Sequence, residues 1–287
     1  KALVPDVAAV GKLSLERANS VHESVAAAGF ASGPAIAALL IPLMGAFNTF
    51  FVVTAIELLS TVVMLAIRVI EQHEEHDDDE GRHWLSYSVQ GFKILFETPA
   101  IFTVMSAFLV LAMIYMPTEM VVLPKWYNSI NQPQSMGLIL TVMAASTAIG
   151  TLLFERMSKH FSFANILRIA ILGVAIGMVP MSFLPPQWVM YAFGVVLGLA
   201  WGPLPVLLNT VIQRLIPANK RGRVFSLEMT LWTAGPMISM TFAGMAVDAF
   251  GVRVVYPVLA ALVLAAAIFV SSRKSLSDLN RAQLPAE

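Results

Sequence analysis

The stretch AAAGFASGPAIAALL, residues 26–40, sets two glycines and a proline inside a run with no charge. In water these residues weaken a helix, Gly by about 1 kcal/mol and Pro by about 3 kcal/mol relative to Ala. In lipid, helices associate by close backbone approach rather than by leaving water. Gly29 and Gly33, four residues apart, then flatten one helix face, and Pro34 is tolerated where neighbours re-pair the freed carbonyl. The stretch predicts a membrane helix that packs closely along its glycines. Two readings of that contact stay open, generic helix packing and a dedicated interface with another part of the molecule.

The rest of the chain agrees with a membrane setting. Hydrophobic residues make up 57% and charged residues 13%, whereas about 25% of a soluble domain is charged. Apolar stretches of the length that crosses roughly 30 Å of hydrocarbon recur at 21–44, 48–67, 100–123, 137–154, 166–184, 188–209, 224–247 and 254–270. Unpaired backbone is not tolerated in lipid, and the alternating segments of about 10 residues that mark membrane strands do not occur here. The predicted fold is an all-α, polytopic transmembrane bundle of eight spans.

Sixteen of the 18 Lys and Arg fall on one side of these spans, leaving Lys125 and Arg253 on the other. The positive-inside rule makes the first side cytoplasmic. With an even number of spans, both termini of this chain are expected in the cytoplasm and the spans in the plasma (inner) membrane.

One segment breaks the pattern. EQHEEHDDDEGRH, residues 71–83, reads as a solvated, self-repelling linker; a metal site built on His73, His76 and His83 is the competing reading. The segment HWLSYSVQGFKILFETP that follows has the pattern of an amphipathic helix lying on the membrane surface. With no cysteine, thiolate chemistry and disulfides are excluded. No phosphate loop, HExxH or GxSxG in a strand-to-helix setting is present, so no enzyme activity, cofactor or metal is predicted. The scattered basic residues do not form a nucleic-acid patch.

AAAGFASGP in the first stretch is echoed by TLWTAGP in the seventh, Gly33 and Pro34 matching Gly235 and Pro236 at an offset of 202 residues. A parallel repeat of this kind builds some transporters from two halves. The third to sixth spans then lack partners. This, with a first residue other than Met, leads to the expectation that about four helices precede Lys1 in a longer protein of twelve.

The first stretch also resembles the antiporter motif of the major facilitator superfamily. That motif runs glycine, eight residues, glycine, three residues, Gly-Pro, then a glycine pair. Gly29, Gly33 and Pro34 match, while Ser20 stands for the first glycine and Ala37 and Ala38 for the last pair. LVPDV…ERANS and IPANKRGRVFSL…AGPMISMTFAGMAVDAFG are similar to exporters of the macrolide and siderophore efflux branch, and GTLLFERMSKHF keeps part of a second family loop.

The resemblance implies that the eight spans are the family's fifth to twelfth helices. Residues 1–70 would close the first half, 71–97 link the halves, 98–272 form the six-helix second half and 273–287 a cytoplasmic tail. It further implies proton-coupled efflux of a small amphipathic molecule by a monomer in a lipid bilayer. An uncoupled facilitator or lipid flippase of the same fold is the alternative, and a membrane sensor or scaffold is the alternative of another class.

Ionisable residues inside spans cost about 2.5–3.5 kcal/mol at mid-helix and mark ion pathways. Glu57 lies mid-span with Thr54 and Thr61 at helical spacing and Ser60 beside it, which makes it the first candidate for proton coupling. Glu119 and Glu228 follow, an ion-pair role being equally open to them. Tyr115, Trp201, Asn209, Thr230, Trp232 and Thr233 are the candidates for lining a substrate cavity, although each also fits ordinary packing. Gly194, Gly198 and Gly202 read as packing that lets the sixth span bend. Lys220, Arg221 and Arg223 read as a cytoplasmic gate paired with acids such as Glu228, or as plain positive-inside anchoring.

Overall fold

The computed structural model describes residues 1–66, 84–272, 276, 279–280 and 282–283. The acidic linker and its three histidines lie outside the described residues. Each apolar stretch forms a helix to within its ends. The order is α1 (Val4–Val10), α2 (Leu15–Ala66), α3 (Trp84–Glu97), α4 (Pro99–Pro117), a π-helical turn (Thr118–Val122), α5 (Leu123–Ser129), α6 (Pro133–His160), α7 (Phe163–Ser182), α8 (Gln187–Trp201), α9 (Pro203–Leu215), α10 (Ala218–Phe250) and α11 (Val252–Ser272).

Among the described residues, five helices are long and apolar enough to cross a membrane: Pro99–Ser129, Gln134–His160, Phe163–Ser182, Gln187–Leu215 and Val252–Ser272. Phe47–Val63 is apolar but shorter. The predicted first span is helical along α2, and the seventh is helical yet less apolar, because Glu228, Thr230 and Thr233 interrupt it.

The sequence breaks its helices with residues suited to the task. Prolines open α4, α6 and α9 in the first turn, where the missing N–H has no partner to lose. Ser162 caps α7 by accepting from the Asn165 amide at 3.3 Å. Between the predicted first and second spans, α2 is broken at Gly45 (φ 80°, ψ 158°). Between the seventh and eighth, α10 ends at Gly251 (φ 80°, ψ 160°). These left-handed conformations favour glycine. The two glycines are 206 residues apart, one helical turn more than the 202 of the Gly33–Gly235 echo, so the repeat seen in sequence recurs in the backbone.

Close helix contacts centre on α8. A Cβ at Gly198 would lie 2.3 Å from the Met143 carbonyl oxygen of α6, and one at Gly202 2.5 Å from that of Thr147. From the other side, a Cβ at Gly150 would lie 2.4 Å from the Leu199 carbonyl oxygen, and one at Gly177 of α7 2.6 Å from the Leu197 Cβ. Backbones approach this closely only without side chains between them. The packing expected of Gly194, Gly198 and Gly202 is therefore present. At Gly29 and Gly33 a Cβ would meet no described atom within 4 Å. Their half of α2 still runs beside α6, but contacts it through other residues, Ser24 bonding to Thr151 and, at 3.1 Å, to the Ala148 carbonyl.

The bundle has two chemically distinct ends. At one, Lys125 pairs with Asp248 and the Arg253 guanidinium sits 5.4 Å over the Trp126 ring, so the two cations set apart in the sequence meet there. The opposite end gathers Arg17, Arg156, Lys159, Arg214 and Lys220. Here the tail folds back: Leu276 and Leu279 are fully buried, and the Gln283 side chain accepts from the Phe163 amide at 3.0 Å and donates to the Ser158 carbonyl at 2.8 Å. Arg214 donates to the Gln283 carbonyl at 2.8 Å and pairs with Glu16 of α2.

Candidate functional site

Two groups of side chains depart from simple apolar packing. The first is aromatic. Phe108 and Tyr115 lie two turns apart on one face of α4, Trp201 ends α8, and Trp232 comes from the middle of α10. The Phe108 and Trp232 rings stack at 4.7 Å and 16°. Tyr115 meets Trp201 at 4.6 Å, and Phe108 meets it at 5.5 Å. Offset and tilted contacts of this kind suit the ring quadrupoles. Phe108, Tyr115 and Trp201 are buried.

One turn beyond Tyr115 is Glu119, in the π-helical turn that follows Pro117. Proline withholds an N–H and the turn widens by one residue, a break that often accompanies function. Glu119 is only 7% exposed, and it interacts electrostatically with Tyr115, one turn back on the same helix. Tyr115 thus borders both features, its ring in the aromatic group and its hydroxyl near the acid.

The second group closes the basic-rich end between α2 and α9–α10. Asn209 donates to Glu23 at 2.7 Å, and Asn19 donates to Gln213 at 2.6 Å and to Thr210 at 3.2 Å. Lys1 lies 3.3 Å from Glu228 and 3.9 Å from Glu23. Asn19 and Asn209 are each 1% exposed. Their hydrogen bonds tie α2, from before the linker, to helices from after it.

The predicted site residues divide accordingly. Tyr115, Trp201 and Trp232 come together, with Glu119 beside them. Asn209 does not join them and works in the closure instead. Thr230 and Thr233 are exposed, and their hydroxyls donate to the Ser226 and Met229 carbonyls of their own helix at 2.9 and 2.8 Å. Glu57, like Thr54 and Thr61, is exposed. Glu228 is buried but takes Lys1 as partner, while Arg221 of the expected gate donates to the Ile216 carbonyl at 2.9 Å. Lys220 is half-buried. Pro236 is buried, and a Cβ at Gly235 would lie 3.1 Å from Leu109 of α4, so the second copy of the Gly-Pro pair is packed against α4.

Phe108, Asn19, Glu16, Gln213 and Arg214 were not singled out in the sequence. Asn19 with Glu23, and Asn209 with Gln213, are polar pairs at a spacing of four on otherwise apolar helices, and that spacing was the available signal. A cavity of about 960 Å³ opens on the opposite face of α4, and its described lining, which includes Phe102, Thr103, Ser106 and Phe269, is mostly apolar. Among the described residues no three His, Asp or Glu side chains gather as a metal site.

An all-helical bundle with several membrane-crossing helices, internal glycine packing and a buried acid against aromatic rings defines a multi-pass membrane transporter. Residues 118–283 match the Major Facilitator Superfamily, and the chain belongs to that superfamily. Among its relatives is the multidrug efflux pump Tap of Mycolicibacterium fortuitum, 28% identical across 99% of this chain and 69% of the relative. The Tap pump of Mycobacterium tuberculosis (strain ATCC 25618 / H37Rv) is 26% identical across 98% of this chain and 67% of the relative. The putative metabolite transport protein YfiG of Bacillus subtilis (strain 168) is 31% identical over 38% of this chain and 23% of its own length.

Proposed function

We propose that this chain is the larger part of a secondary exporter that moves a small amphipathic molecule out of the cytoplasm against entering protons. The observation that carries the reading is the double position of Tyr115. A flat apolar molecule recognised by Phe108, Trp201 and Trp232 must compete with the Tyr115 ring for those faces. Moving that ring alters the surroundings of the Glu119 carboxylate. Substrate and proton are then linked through one side chain, which is the differential contact that coupling needs. The named activity of the Tap relatives supports export.

In this reading Glu119 carries the proton, since an acid within a span marks a proton relay by default and this one touches the aromatic group. Glu57 remains a candidate on its mid-span position. The basic-rich end is cytoplasmic, and its polar closure between α2 and α9–α10 is the inner gate that opens when the halves rock apart.

The test uses the full-length protein in proteoliposomes with ethidium as the amphipathic dye. Glu119→Gln is expected to abolish dye export driven by a pH gradient while leaving dye binding intact. Tyr115→Phe keeps the ring and lowers export about tenfold, the kinetic equivalent of losing one buried hydrogen bond. Glu57→Gln runs in parallel. If the Glu119 variant exports normally and the Glu57 variant does not, the coupling acid is Glu57 and the role given to Tyr115 falls.

A further inference from the structure

Beyond Glu119, on the side away from the aromatic rings, polar atoms collect in an otherwise apolar part of the bundle. Thr118 and Tyr256 are 1% and 0% exposed, and neither hydroxyl has a protein partner among the described residues. Tyr256 stands on α11, which packs against the π-helical turn. It interacts electrostatically with Tyr115 and with Tyr127. Tyr127, 1% exposed, donates to Gln187 Oε1 at 2.8 Å, and Gln187 Nε2 is a further buried atom without a partner. Gln187 begins α8 just after residues 184–186 and is half-buried, so the series reaches solvent at the end of the bundle opposite the basic one.

Buried polar groups in proteins are nearly always hydrogen-bonded, to protein or to ordered water. Three unpartnered atoms in one region, flanked by hydroxyls and a carboxylate, match the polar surroundings that hold buried water, each molecule needing two to four such neighbours. An apolar replacement at Tyr256 would pack as well, and the hydroxyl therefore calls for a role.

We infer that Tyr115, Tyr256, Tyr127 and Gln187, bridged by water, form a proton path between Glu119 and the solvent at the outer end. The inference rests on Glu119 being the coupling acid. A proton arriving at the Gln187 mouth binds a water. Each hydroxyl along the file accepts a proton on its oxygen and passes its own onward. The Glu119 carboxylate takes the last one, and the hydroxyls return by rotation. Charge and atoms balance with no further reactant. The titratable group beside Glu119 is Tyr115 of α4, and Tyr256 of α11 interacts in turn with Tyr115 and with Tyr127 of α5. The charged residues of that end, Lys125 with Asp248 and Arg253 over Trp126, are engaged with one another at its surface.

The path is tested without any substrate. The full-length protein in phosphatidylethanolamine–phosphatidylglycerol liposomes is given an external acid jump, and the infrared carbonyl band of the protonated carboxyl is followed in time. Glu119→Gln is expected to remove the band. Tyr256→Phe and Tyr127→Phe are each expected to slow its rise about tenfold, one lost hydrogen-bonded link, with unchanged final amplitude. A hydroxyl with no such role predicts an unchanged rate and equal or higher thermal stability for Tyr256→Phe. If the band disappears in Glu119→Gln but rises at the wild-type rate in both tyrosine variants, the path is wrong and the coupling acid stands. A band that survives Glu119→Gln overturns both.

Discussion

Gly198 and Gly33 sit in similar apolar sequence, and their surroundings differ completely. Beside Gly198 the backbone of α6 leaves no room for a methyl group, since the obstructing atom is a carbonyl oxygen that cannot turn aside. Gly198→Ala is therefore expected to destabilise the bundle by about 1–3 kcal/mol, the usual range for overpacking, and to lower the thermal midpoint of purified protein. Gly33→Ala should not lower that midpoint, because its Cβ meets no described atom. Gains in both would show that helix propensity rather than contact governs them. Both glycines were visible as span residues, yet only a third dimension tells which one faces a neighbour. The same holds for the aromatic site. Tyr115, Trp201 and Trp232 stood out as large residues in spans, whereas Phe108 was one phenylalanine among 17 and became legible only through its stacking on Trp232.

At the scale of elements, apolar length and proline placement were enough to locate the helices, and Gly45 and Gly251 fall where the sequence separated its spans. The π-helical turn was not legible. It depends on how α4 packs on α10 and α11 beyond Pro117, and no local pattern encodes that. Nor was the folded-back tail, because Asn280 and Gln283 are ordinary polar residues until the start of α7 is placed beside them. There Gln283 satisfies one orphan amide of α7 and, with its amide nitrogen, the Ser158 and Phe161 carbonyls at the end of α6 at 2.8 and 3.1 Å. Gln283→Ala removes the cap and is expected to cost about 1 kcal/mol, read as a lower thermal midpoint, while Gln283→Glu, which still accepts, keeps part of it. An unchanged midpoint in the Ala variant would mean that water replaces the side chain without loss.

Across the whole molecule, the charge asymmetry read from the sequence reappears as two ends, one holding Lys125 and Arg253 and the other the remaining described cations. Since the natural chain has no cysteine, single introduced thiols report sidedness cleanly. An impermeant maleimide applied to intact cells is expected to label position 131, between α5 and α6, and not position 220, in the first turn of α10. The reverse pattern would invert the orientation, and with it the direction of export. The tail's part in holding the basic-rich end together bears also on biogenesis. Gln283 follows every described helix in the chain, so the start of α7 and the far side of Arg214 wait, unsatisfied, until all of those helices have been made. Nonsense or frameshift alleles that truncate the chain after α11 would then leave the described spans inserted yet present a raw, polar seam to membrane proteases, and their phenotype would be low abundance rather than faulty transport.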